Sequence, residues 1–164
     1  WGTDSMQELS FGYVACILMS ASSIVLYLVQ SRETGVLGFI STMGIIIGNI
    51  LTTVLLFSTF IVEPSAPEPD SIVVAISGMG SMIGLTGGTL MFAIVTLRAK
   101  VFPVWVVGLN ALMLLSAIVP VEDNKLFALF WGLAYVGMGF CIVAGKLKPG
   151  VKQIGNGGTV SGSF

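Results

Sequence analysis

The chain has 164 residues, 55% hydrophobic and 9% charged, with seven basic and eight acidic side chains and no histidine. Its mean hydropathy of +0.99 is more apolar surface than a soluble fold of this length can hide, since soluble domains carry roughly a quarter charged residues; the composition specifies an integral membrane protein. The near-balanced charge leaves no basic footprint for nucleic acid, and the lack of histidine removes the commonest general base, metal ligand and haem ligand.

The chain opens at Trp1 rather than a methionine; the expectation is either that a signal peptide or a leading helix was removed or that the sequence is incomplete. Five apolar runs follow, at about 9–29, 36–62, 71–97, 103–121 and 126–145, and none contains Asp, Glu, Lys or Arg. Each is long enough to cross a hydrocarbon core about 30 Å thick, which takes about 20 helical residues. The runs are continuous rather than alternating, so a β-barrel is excluded. The expectation is an all-α integral membrane bundle of five transmembrane helices, forming one domain over 1–148.

The separators "QSRETG", "EPSAPEPD", "RAKVF" and "EDNK" hold nearly all the charge. The second of these is too rich in proline to be helical and reads as an extended linker. Pro103 suits the first turn of the fourth helix, and the Gly/Ser-rich tail over 149–164 is expected to be flexible. With the N-terminus outside and the C-terminus cytoplasmic, Arg32, Arg98, Lys100, Lys146, Lys148 and Lys152 fall inside and only Lys125 outside, as the positive-inside rule asks. Glu63, Glu68, Asp70, Glu122 and Asp123 then make a solvated outer rim. Tyr27, Phe39, Phe102, Trp105 and Phe140 are expected at the inner boundary, and Tyr13, Phe57, Phe60, Phe130 and Trp131 at the outer one. The prokaryotic inner, or plasma, membrane is the expected location.

Five glycines crowd into 77–88, "SGMGSMIGLTGG". The order G-x-G-x-x-x-G is not a dinucleotide fingerprint, and no Walker lysine follows. A potassium-type filter would need a loop between helices, whereas these glycines sit inside one apolar run. Packing is the reading that fits. Gly80, Gly84 and Gly88 recur every four residues and line one helix face, where another backbone can approach closely. Gly44, Gly48 and Thr52 repeat the pattern in the second run, Gly12, Cys16 and Ser20 in the first, and Gly137, Cys141 and Gly145 in the fifth. One such spacing says little, because glycine is common in membrane helices; recurrence on four helices predicts close packing within the chain.

Asn49 and Asn110 are the amides at membrane depth, and each needs a protein partner there. They either meet, lining a polar site, or each makes a structural interhelical hydrogen bond worth about 1 kcal/mol; the second is favoured because no ionisable residue joins them. Cys16 and Cys141 differ in depth by about 12 Å at 1.5 Å per residue, beyond disulfide reach, and read as packing residues. Ser77, Ser81 and Ser116 have no lysine, acid or histidine at their depth to activate them.

The inner turn "LRAKVFPVW", 97–105, places Arg98 and Lys100 to hold anionic lipid headgroups and Trp105 to anchor the next helix at the interface. Together with "GLNALMLL" and "GLAYVGMGF", this turn resembles the C-terminal half of small uncharacterised prokaryotic multi-pass membrane proteins that carry an R-A-[KR]-V-x-P-x-W turn. The resemblance covers the last third to half of the chain and implies a helical bundle without a particular activity. The expected function is non-catalytic: an accessory or structural subunit packed against other membrane subunits, or a homo-oligomeric bundle. The alternatives are a small transporter or channel with a neutral polar path, and a carrier of an apolar cofactor such as quinone or carotenoid. No metal site is expected, and the partners are other membrane subunits or a second copy, and lipids.

Overall fold

The computed structural model describes residues 6–61, 72–118 and 125–148. The proline-rich linker, the acidic rim, Lys152 and the tail lie outside these residues. The described chain is all-α: α1 (Met6–Ile61), α2 (Ile72–Ala99), α3 (Val104–Ile118) and α4 (Lys125–Val143).

A straight helix the length of α1, 56 residues, would reach about 84 Å at 1.5 Å per residue. It does not run straight. Gly35 has φ 55° and ψ −142°, a non-helical conformation joining two helical arms. A Cβ placed on Gly12 would lie 3.5 Å from Leu56 Cδ1, and the rings of Tyr27 and Phe39 meet edge to face at 5.9 Å. Residues this far apart in sequence touch only if the arms, 6–34 and 36–61, fold back antiparallel.

The first two expected helices are therefore arms of one α1, and the expected loop "QSRETG" is corrected. The polar string stays helical and the chain reverses at one glycine. The hydroxyls of Ser31 and Thr34 donate to the carbonyls of Leu28 (3.0 Å) and Gln30 (2.9 Å), while Arg32 and Glu33 are exposed. A helix can carry such residues at the end of a bundle, where their charges reach water.

The later elements follow from their ends. α2 stops at Lys100, whose φ of 56° is left-handed and whose N–H donates to Thr96 O at 3.2 Å, an end more often built on glycine. Val101 and Phe102 then turn inward and are buried, so Phe102 is a core residue and not a boundary ring. Pro103 precedes α3, and its carbonyl accepts from Val106 N at 3.1 Å. α4 closes at Gly145, φ 63°, with Lys146 N donating to Cys141 O (2.9 Å) and Gly145 N to Ile142 O (3.2 Å). These paired bonds satisfy the last carbonyls of the helix. Lys148 N donates to Val101 O at 2.9 Å and ties the end of α4 to the α2–α3 turn.

Two apolar clusters form the interior. One holds Leu26, Ile45, Phe92, Val106 and Met138, among others. The other holds Leu85, Met113 and Trp131, with Met19 against it; Trp131 is thus buried inside and not a ring of the outer belt. The exterior is apolar, with Phe11, Val36, Met82, Val104 and Val136 largely exposed. The stretches Met6–Ser58, Ile72–Ala99 and Leu126–Val143 are long and apolar enough to cross a membrane, and the apolar part of α3, Val104–Ser116, is shorter.

Gly35 tests the hairpin. An added Cβ there would meet nothing within 4 Å, so Gly35→Ala is opposed only by its backbone conformation. It is expected to cost about 1–3 kcal/mol in SDS-driven unfolding followed by tryptophan fluorescence, and an unchanged midpoint would show that the reversal does not depend on glycine.

Candidate functional site

The C-terminal arm of α1 and α2 run antiparallel and meet through glycine. A Cβ on Gly84 would lie 2.8 Å from Gly44 O and 2.9 Å from Gly48 Cα. One on Gly88 would lie 2.8 Å from Ile45 N, and one on Gly48 2.6 Å from Leu85 N. These neighbours are backbone and cannot swing away. The contact exists because both helices present glycine at the same level, which lets main chains touch where side chains would hold them apart. The stretch 77–88 is helical throughout.

The other glycines differ. At Gly80 the neighbour is Leu51 Cδ1 at 2.6 Å, the far end of a flexible side chain, and at Gly12 it is Leu56 Cδ1 at ordinary contact distance, 3.5 Å. Gly137 lies beneath the Trp105 ring, where a Cβ would be 3.0 Å from two ring carbons. Gly78 and Gly87 face open space, and Gly145 ends α4.

Buried hydroxyls in a bundle usually satisfy themselves on their own helix, and most do here. Thr42 donates to Gly38 O (2.8 Å), Ser41 to Gly38 O (2.9 Å), Ser81 to Gly78 O (2.9 Å) and Ser116 to Met113 O (2.8 Å). Ser77 is buried as well. Ser23 donates to Met19 O at 2.8 Å, which leaves its oxygen to accept from Tyr135 Oη at 2.7 Å. Gln30 Nε2 donates to Thr96 Oγ1 at 3.0 Å, although Gln30 Oε1 has no partner.

The asparagines depart from expectation. Asn110 Nδ2 reaches back to Val106 O of its own helix at 3.4 Å. Asn49 is fully buried, yet neither its Nδ2 nor its Oδ1 has a partner, and the same is true of Thr89 Oγ1. Asn49 therefore neither bonds Asn110 nor makes the expected interhelical bond. Gln30 and Tyr135, which do bond across helices, were not singled out in the sequence. Gln30 sits in a string that looks like a loop, but its spacing from Ser23 and Leu26 continues the buried face of the N-terminal arm.

Cys16 and Cys141 are free and buried. Among the described residues no group of three or more His, Cys, Asp or Glu could hold a metal ion.

The α2–α3 turn collects charge. Arg98 and Lys100 are exposed, and Lys146 Nζ stands 4.8 Å over the Phe140 ring. The bond of Lys148 to Val101 brings the end of α4 to the same place, and the Gln30–Thr96 bond brings Arg32 near it. Three helical segments end here, and cations at helix C-termini complement the negative ends of the dipoles. Trp105 is 52% exposed while its ring edge covers Gly137, so it faces outward and packs at once.

No protein-family model, curated protein or solved structure matches this chain.

The seam makes a contrast within one helix. Gly84→Ala and Gly88→Ala are each expected to lose about 1–3 kcal/mol through overpacking, while Gly87→Ala should stay within about 0.5 kcal/mol. Thermal midpoints of the purified protein in detergent decide it, and equal midpoints for all three would refute the contact.

Proposed function

We propose that this chain is a non-catalytic multi-pass membrane protein, an accessory or structural subunit that packs against other membrane subunits or against copies of itself. The observation that carries the reading is where the small residues lie. The seam of Gly44, Gly48, Gly84 and Gly88 is used up inside the chain, whereas Gly87, Gly108, Gly132 and Gly139 face open space on helices whose neighbouring exposed side chains are apolar. Outward notches of this kind let a second helix come close in lipid. The interior supports the same reading: most of its hydroxyls are turned onto their own helices, and the unpartnered Thr89 has Leu85 of one apolar cluster on one side and Phe92 of the other on the other side. A neutral polar path would need those clusters open.

In this reading the chain crosses the plasma membrane of a prokaryote five times, the two arms of α1 counting as two crossings. The N-terminus is outside, and the end bearing Arg32, Arg98, Lys100, Lys146 and Lys148 is in the cytoplasm. Arg98, Lys100 and Trp105 meet anionic headgroups and the interface there. The resemblance of the 97–105 turn to small prokaryotic multi-pass proteins agrees with this placement.

Native mass spectrometry of the protein released from nanodiscs or gentle detergent is expected to give a defined oligomer or a complex with other subunits; monomer alone would overturn the assembly. Orientation has its own test. Both native cysteines are buried, so Lys100→Cys supplies one reactive thiol. It should resist a membrane-impermeant maleimide in intact cells and react in inside-out vesicles, and the reverse result would invert the topology.

A further inference from the structure

Among the described residues Asn49, Thr89 and Trp131 have no partner for any side-chain polar atom, and all three lie at or beside one polar layer. On four helical segments a polar residue lies between members of the two apolar clusters: Ser23 between Met19 and Leu26, Thr89 between Leu85 and Phe92, Asn110 between Val106 and Met113, Tyr135 between Trp131 and Met138. In every case one flanking residue is a turn before and the other a turn after. Asn49 follows Ile45 of the first cluster at the same spacing. The levels agree. Ser23 and Thr89 each stand two turns, about 10 Å, before the bonded pair Gln30 and Thr96, and the Ser23–Tyr135 bond sets α4 at that height. The contact of Gly48 with Leu85 N, between antiparallel helices, puts Asn49 about one and a half turns, about 8 Å along the axis, from Thr89.

Within this layer Ser23, Tyr135 and Asn110 have partners, while the Asn49 amide and the Thr89 hydroxyl have none, nor does Trp131 Nε1 one turn before Tyr135. Asn49 and Thr89 both had the local solution open to them. The Asn110 amide and the hydroxyls of Ser23, Thr42, Ser81 and Ser116 donate to a carbonyl one turn back; Asn49 and Thr89 do not, although each lies mid-helix. A buried amide and hydroxyl left empty in a hydrocarbon setting are costly, and a buried water commonly fills such a gap with two to four hydrogen bonds. The guest is neutral, since the described interior offers no carboxylate to balance a cation.

We propose that this layer is a sequestered hydration site, in which a chain of at least two water molecules links Asn49 and Thr89. One water accepts from Asn49 Nδ2, a second hydrogen-bonds Thr89 Oγ1, and the two bond each other. The apolar clusters on both sides close the layer from bulk solvent, so the water is held rather than conducted. The inference uses only the helix arrangement and stands whether or not the chain assembles with others.

X-ray radiolytic footprinting of the full protein in nanodiscs tests it, because bound water yields hydroxyl radicals that label adjoining side chains without access from bulk. Met113 and Tyr135, facing the layer from two helices, are expected to be oxidised well above background despite the complete burial of Met113. Asn49→Leu and Thr89→Val should each lower that labelling several-fold, and Thr89→Val carries the comparison if Asn49→Leu does not fold. Background labelling in the unaltered protein, or labelling unchanged in the variants, overturns the proposal. A thermal stabilisation by sodium that choline does not reproduce would assign the site to a cation and overturn it equally.

Discussion

The approach of Gly44 and Gly48 to Gly84 and Gly88 sets the register on which the other contacts depend. In lipid the hydrophobic effect does not draw one apolar helix to another, so van der Waals fit between surfaces does that work. Backbone against backbone brings the two axes closer than any side-chain contact would. It also leaves little freedom to slide, because each glycine sits opposite main-chain atoms at about one position only. Once α2 is fixed on the C-terminal arm of α1, the N-terminal arm is fixed too, through Gln30 and Thr96 on one side and Gly35 on the other. Ser23 then finds Tyr135, and α4 takes its height from that bond.

The legible part of this fold was the part written in composition and spacing. Apolar runs without charge mark helices because a membrane interior tolerates nothing else, and the described residues are helical across those runs. The period of four at Gly44, Gly48, Gly84 and Gly88 pointed to one face on each helix, and those faces touch. Spacing alone did not separate them from Gly145, which has the same period but serves its backbone conformation, or from Gly12, which makes only an ordinary contact. A helix face is a matter of angle; what lies opposite it is a matter of tertiary arrangement.

Polar residues misled in a consistent way. Arg32 and Glu33 made "QSRETG" look like a loop, yet charge at a bundle end is compatible with helix, and one glycine was enough to turn the chain. Gln30 was hidden by the same string. Asn49 and Asn110, both at mid-depth, called for a bond to another helix, but a side chain has the option of bonding its own helix, and Asn110 takes it. Trp131 was placed at the lipid boundary by a preference that holds for rings near helix ends; in the structure it fills the space beside Met113 and Leu85. Val101 and Phe102, between two cations and a proline, gave no local sign that they would turn inward.

The one-residue reversal in α1 leaves no slack between its arms. Each added helical residue turns a helix by about 100°. A single residue inserted anywhere from Gly35 to Gly44 would rotate the face bearing Gly44, Gly48 and Asn49 by about that angle, away from α2 and toward lipid. A protein with a loose connector absorbs such an insertion in the loop. This one would have to unwind a turn or give up its tightest joint, so evolution can lengthen or shorten the chain here only in steps that bring the helix back round to the same side.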